Sequence, residues 1–400
     1  GVNDSDSDGH QDYNISLAAA NVLTDNPEVS TVAGSGSSGS TNATGTSARF
    51  NIPRSMTTDG TNLYVADSSN HTIRKIVIST GAATTFAGSP GSYGSTNATG
   101  TSARFWYPKS ITTDGTNLYV ADSSNNKIRK IVISTGAVTT FAGSGPGSTD
   151  GTGTSAKFYS PRGITTDGTN LYVTDYYNHR IRKIIISTGV VTTLAGSSQG
   201  SNDGTGTSAK FNIPRGITTD GTNLYVADSS NHKIRKIVIA TGVVTTLAGS
   251  TSHGSTNGTG TAAKFSNPRE ISTDGTNLYL ADTGNHKIRK IVISTGVVTT
   301  LAGSGSAGSA DGTGTSASFN SPRGITIDGN NVYVGDSHKI RKISLRGTIT
   351  TDVALHNLDD DLNYKVDVAS SNTLEATVNH STLTFTPNNY NTPQTVTVTG

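Results

Sequence analysis

IPRGITTDGTNLYVADSSNHKIRKIVIATGVVTTLAG, residues 213–249, is written six times along this chain with small changes. The Asp-Gly anchors of the six copies are Asp59, Asp114, Asp167, Asp220, Asp274 and Asp328, 53 to 55 residues apart. A period near fifty that holds several short apolar runs marks a toroidal or stacked repeat architecture. Within the quoted copy four runs read as strands: 214–218, 223–227, 232–239 and 243–247. Asp220-Gly221, the 228–232 segment and Thr241-Gly242 supply the three hairpin turns between them. Four antiparallel strands repeated radially describe a propeller blade.

A stacked solenoid has the same kind of period, but its end repeats carry polar caps. Here the first and last repeats are as apolar as the middle ones. The segment VSTVAGS at 29–35 copies the end of a repeat and stands before the first full one. It is therefore a fourth strand without its own first three, placed to complete the sheet begun by 322–344. The expected fold is all-β: a six-bladed propeller of four-stranded blades, its ring closed by an N-terminal strand, leaving no open edge. Between blades run loops of about twenty residues, in which the Thr-Ser-Ala-Lys-Phe piece is expected to form one turn that plants a ring in the core. Those rings are Phe50, Phe105, Phe158, Phe211, Phe265 and Phe319. The sixth copy has a shortened second hairpin, with His338 two residues after Asp336 where His286 follows Asp282 by four.

Composition narrows the function classes. The net charge is +2 with no acidic or basic tail, so nothing in the charge pattern favours nucleic acid or a membrane surface. There are no cysteines, which excludes disulfides and thiolate metal sites. No apolar run approaches the roughly 18 residues of a membrane span, and no leader-like segment opens the chain. Two settings fit: a soluble intracellular chain, or a mature or internal portion of an exported one.

Both ends have a different texture. Residues 1–20 give an acidic Ser-rich turn and one alternating strand at 13–18, which needs a partner to be stable. Residues 345–400 alternate apolar and polar residues with Pro-Asn turns, as in an incomplete antiparallel sandwich. The expected domains are thus 1–20, terminal strands of a sandwich; 21–344, the propeller; and 345–400, opening strands of a sandwich.

The repeat resembles the NHL family. Its Asn-His-x-aliphatic signature stands at Asn70-His71, Asn178-His179, Asn231-His232 and Asn285-His286, with Tyr-Val-Ala-Asp before it and Pro-Arg-Gly-Ile at the blade start. The resemblance covers 29–344 and implies a six-bladed propeller. The tail LTFTPNNYNTPQTVTVTG resembles the closing half of Calx-beta-like sandwich repeats of large bacterial surface proteins, and residues 2–20 look like the continuation of that pattern. The chain is then one tile of a longer array, or a subunit whose first strand completes the sandwich of the next copy, head to tail, or a truncated piece with nothing in the gap; strand addition of the second kind gives an open filament.

Several residues are candidates for chemistry. Asp4, Asp6, Asp8 and Gly9 give D-x-D-x-D-G, whose alternate carboxylates converge on calcium in related loops; Asp12, Asp359, Asp360 and Asp361 are further candidate ligands if the two ends meet. The alternative is a solvated acidic turn. Arg54, Lys109, Arg162, Arg215, Arg269 and Arg323 follow the blade-opening prolines and are expected to ring one mouth of the channel. There they would hold an anion, an acidic sugar or a partner's carboxylates. The competing and preferred expectation pairs each with a repeated aspartate: Asp67, Asp122, Asp175, Asp228, Asp282 or Asp336. Glu270 replaces Gly near that channel and reads as an ion-pair partner. The repeated His residues read as turn hydrogen-bonders, since metal ligation needs convergence that a ring forbids. Tyr176-Tyr177 and Trp106-Tyr107 depart from the repeat; a contact for carbohydrate or protein is one reading, and chance drift is the other and slightly preferred one. Asn42, Asn97 and Asn257 open Asn-x-Thr sequons.

No convergent His or carboxylate set marks an enzyme. The expected function is an extracellular or cell-surface structural or adhesive protein, a disc strung on sandwich linkers, with copies of itself as partners. The alternative is a ligand- or carbohydrate-binding propeller module that meets a surface glycan, and the least favoured reading is a propeller lyase or hydrolase. Calcium is the one cofactor expected.

Overall fold

The computed structural model describes residues 27–345 in full and, beyond them, the backbone of five strand segments between 348 and 399. The chain divides into two compact units, Pro27–Leu345 and a second made of residues 1–26 with 346–400. The calcium candidates Asp4, Asp6, Asp8, Asp12, Asp359, Asp360 and Asp361 all lie outside the described residues, as does the strand expected at 13–18.

Pro27–Leu345 is a ring of six antiparallel sheets. In the fourth blade the strands run, from the axis outward, Pro214–Thr219, Asn223–Asp228, Lys233–Val238 and Val243–Gly249. His232 sits just outside the third strand, in the left-handed region at φ +57°, because the turn there must reverse within one residue. Each blade also carries a fifth strand of two residues on its outer edge, such as Gly204–Thr205 against Val243 and Val244. The four-stranded expectation is corrected on this point: two residues are too short to show any alternation. A three-residue 3₁₀ turn, Gly206–Ser208, follows that strand and delivers Phe211 into the core.

The sixth blade is assembled from both ends of the unit. Glu28–Ala33 pairs with Lys339–Ser344 in register Val29 to Ile343, so the N-terminal strand closes the ring. The second strand, Asn-Leu-Tyr-Val-Ala-Asp in three blades and close variants in the others, is buried on both faces, because each blade lies between two others. Leu224 and Val226 face the preceding blade's Tyr172 and Ile181, while Tyr225 and Ala227 face the next blade's Leu278 and Leu280. Six such clusters fill six interfaces, and the last joins Tyr333 and Ile340 to Met56, Leu63 and Val65 across the closure.

The innermost strands pack against one another around the axis. The approach is close enough that a Cβ on Gly216 would run into the Arg269 carbonyl and the Glu270 side chain of the next blade.

In the second unit Gln394–Thr399 pairs with Thr348–Val353 and with Thr377–Val378, and Tyr364–Asp367 pairs with Thr382–Phe385. All three pairings are antiparallel.

Candidate functional site

The repeated aspartates are not partners of the channel cations. Asp228 is fully buried and binds Arg235, from the third strand of its own blade, at 2.8 Å. Its other oxygen accepts the backbone N–H of Asn212, and Asn231 Nδ2 donates to the first. The same pairing joins Asp67 to Arg74, Asp122 to Arg129, Asp175 to Arg182, Asp282 to Arg289 and Asp336 to Arg341. Each arginine lies over the loop phenylalanine, 5.0 Å from the Phe211 ring centre for Arg235. Its Nη2 reaches outward to the first residue of the Asn/Asp-x-Thr segment: Asp203 Oδ1 at 2.7 Å for Arg235, Asn42 Oδ1 at 3.0 Å for Arg74. Thus the sequon residues Asn42, Asn97 and Asn257 hold the places taken by Asp150, Asp203 and Asp311 in the other blades.

The expected one-to-one pairing of channel cations with aspartates is therefore overturned. The aspartate ends the second strand, opposite the blade-opening proline, and the arginine seven residues on meets it across the hairpin to the third strand. The signal was present, since five of the copies space Asp and Arg by seven residues. Buried ion pairs of this kind need every donor and acceptor satisfied, and this one nearly achieves that.

What remains unpaired is the ring. Arg54, Lys109, Arg162, Arg215, Arg269 and Arg323 converge on one cavity of about 20 Å³, whose single carboxylate is Glu270. The Nε of all five arginines is buried without a hydrogen-bond partner, as is Nη1 of Arg269. Lys109 donates to Ser68 at 3.1 Å and Arg215 to the Tyr176 hydroxyl at 3.4 Å. Burial, together with Arg54, Arg162, Arg323 and Arg269, pulls the Lys109 ammonium down to about 5. Burial, then repulsion among the arginines, also lowers Arg54 and Arg269. Guanidinium groups keep their proton, so the lowering expresses the cost of burial first and of mutual repulsion second. Glu270 is pushed up to about 8 by burial, against the pull of Arg54, Arg215 and Arg269. Near neutral pH the cluster thus holds five guanidinium forks, a neutral lysine and a mostly protonated glutamate.

The His residues do act as hydrogen-bonders, but between blades. His232 Nδ1 accepts the backbone N–H of Asn267 at 3.2 Å, at the residue before the next blade's proline. That residue has φ +48°, a conformation that needs anchoring. In the second blade Asn126 Oδ1 replaces the imidazole and accepts from Ser160 at 2.8 Å.

A second cavity of about 220 Å³ opens at the trimmed turn of the sixth blade, beside Gly308, Asp336, Ser337 and Lys339. Elsewhere an asparagine fills this place, as when Asn285 donates to the Gly254 carbonyl and to Asp282; the shortened hairpin removes it. Among the described residues no three His, Cys, Asp or Glu side chains converge as metal ligands, and no helix is long and apolar enough to cross a membrane.

Comparison with known proteins agrees with the repeat. Residues 158–184 match the family model described as NHL repeat. The chain is 30% identical over 293 residues to human NHL repeat-containing protein 2, covering 63% of this chain and 40% of that protein. It is 31% identical over 275 residues to SUPPRESSOR OF QUENCHING 1 of Arabidopsis thaliana, covering 62% of this chain and 26% of that one. The chain therefore spans well under half the length of these relatives. Among solved structures, an auxiliary nutrient binding protein of Bacteroides thetaiotaomicron superposes with a TM-score of 0.60 at 18% identity, over 79% of this chain and 76% of that one. The unit is a six-bladed β-propeller that carries the NHL repeat.

Proposed function

We propose that the propeller is a binding module of an extracellular or cell-surface protein, and that its cationic ring holds an anionic group of the ligand on the axis. The carrying observation is the convergence of Arg54, Lys109, Arg162, Arg215, Arg269 and Arg323 on one cavity with Glu270 as the lone carboxylate. A carboxylate, sulfate or phosphate there would meet several buried donors at once and relieve their mutual repulsion, and charge-assisted bonds to guanidinium are the strong kind. The cavity's small volume admits a single charged group rather than a whole ligand. The reading is non-catalytic: positive groups surround the anion, and its role is capture.

Calorimetric titration with sulfate at fixed ionic strength tests it. One saturable site is expected, lost on Arg215→Met with Arg269→Met. Equal heats from wild type and the double variant would refute the reading.

A further inference from the structure

We infer that the ligand is an acidic oligosaccharide: a charged sugar seats its anion in the ring while neighbouring sugars lie on aromatic rings that lead outward from it. This rests on the anion-binding reading above and adds the class of molecule to which the anion belongs.

Among the described residues, the large aromatic side chains that stand exposed are Tyr93, Trp106, Tyr107, Tyr159 and Tyr177. All fall within residues 93–177 of a ring of six near-copies, so the exposure is confined to one sector. Two contact chains tie that sector to the channel. In the first, the Lys109 ammonium lies 4.6 Å from the centre of the Tyr107 ring. Tyr107 meets His71 edge to face at 4.6 Å, His71 meets Tyr93 at 5.8 Å, and Tyr93 stacks on Trp106 at 5.1 Å with planes 25° apart. In the second, Arg162 lies 3.5 Å from the centre of the Tyr176 ring, Tyr176 packs on Tyr177 at 4.7 Å, and Tyr177 on Tyr159 at 4.8 Å. Each chain begins at a ring cation and ends on rings open to solvent.

Exposed Tyr and Trp faces beside hydroxyl and amide groups suit the apolar C–H faces of sugar rings. Charge placement favours sugars over nucleic acid. A polynucleotide carries a charge at every residue and needs a cationic track. Here both aromatic chains begin at cations of the central cluster, Lys109 and Arg162, while the core arginines are consumed by buried aspartates. A ligand with one anion at the centre and uncharged surface beyond it matches that layout.

Trp106 is the chain's single tryptophan, so its emission reports occupancy of the first aromatic chain directly. The probes are aldotetraouronate (one glucuronate on xylotriose, hence a single carboxylate), the neutral tetramer xylotetraose, sulfate, and a hexathymidylate. Aldotetraouronate is expected to shift Trp106 emission saturably and to bind at least tenfold tighter than xylotetraose. By calorimetry, Tyr93→Ala and Tyr177→Ala should each weaken aldotetraouronate about tenfold and change sulfate affinity less than twofold; both side chains are exposed, so the fold is kept, with circular dichroism as control. If sulfate binds but aldotetraouronate neither shifts Trp106 nor responds to the tyrosine variants, the oligosaccharide inference falls and the anion site stands. If neither binds, both fall. Tighter binding and a larger Trp106 response with hexathymidylate would overturn the inference in favour of single-stranded nucleic acid.

Discussion

Asp228 accepts from Arg235 Nη1 at 2.8 Å with both side chains fully buried, and this one pair leaves Arg215, at the head of the same blade, without an aspartate. Removing one member strands the other. Asp228→Ala is expected to cost about 3–5 kcal/mol, whereas Asp228→Ala with Arg235→Met should recover much of that loss. Urea unfolding of the two variants measures the difference; equal destabilisation by single and double changes would show that the pair is not coupled.

The ring should behave in the opposite sense. Arg269 is lowered by burial and by Arg215, Arg54, Arg323 and Arg162, so its charge is unfavourable in the empty site. Arg269→Met is expected to stabilise the anion-free protein by about 1–3 kcal/mol. Lys109→Met should change stability little near pH 7, because Lys109, at about 5, has already shed its proton there. Calorimetric melting in an anion-poor buffer distinguishes the two.

Anion binding should take up protons. Lys109 is held down at about 5 and Glu270 up at about 8 in the empty site, and a bound anion raises both. Sulfate affinity is therefore expected to be greatest near pH 5 and to fall as pH rises, by up to about tenfold per unit for each proton linked. Above pH 8 the ionised Glu270 competes as well, and the fall steepens. Glu270→Gln removes that second limb and leaves affinity at pH 6 nearly unchanged. Titrations from pH 5.5 to 9 in buffers of different ionisation heat measure the protons directly.

His232 joins two blades only while neutral, because its Nδ1 accepts from Asn267. Burial lowers its folded pKa below the ordinary 6.5. The contribution is thus complete above 6.5 and lost as pH falls through the lowered value. His232→Ala should cost about 1 kcal/mol at pH 7.5, while His232→Asn, which copies the Asn126 arrangement, should keep most of it and lose the acid dependence. Urea midpoints at pH 7.5 and 5 test both points.

Much of this was legible in the residues. The blade strands, the closing strand and the convergence of Arg54 and its five counterparts follow from a period near fifty and from prolines that fix where each inner strand begins. The pairing of Asp228 with Arg235 was signalled only by the seven-residue spacing in five copies, which does not say that the arginine of an otherwise apolar strand turns inward. In fact Arg235 lies opposite Val226, two residues in from the hairpin, on the buried face that Asp228 shares. The line from Lys109 to Trp106 was also hidden. It crosses from the turn of one blade, at His71, to the start of the next, at Tyr107, and only the ring geometry brings those together. The fifth strand of each blade, two residues long, leaves no pattern to read.

The most direct test is anomalous diffraction from crystals soaked in selenate, an isostere of sulfate. The predicted result is one strong peak on the propeller axis within hydrogen-bond reach of Arg54, Arg162, Arg215, Arg269 and Arg323, absent in the Arg215→Met, Arg269→Met variant. A map with selenate only at surface lysines and none within the ring would contradict the account.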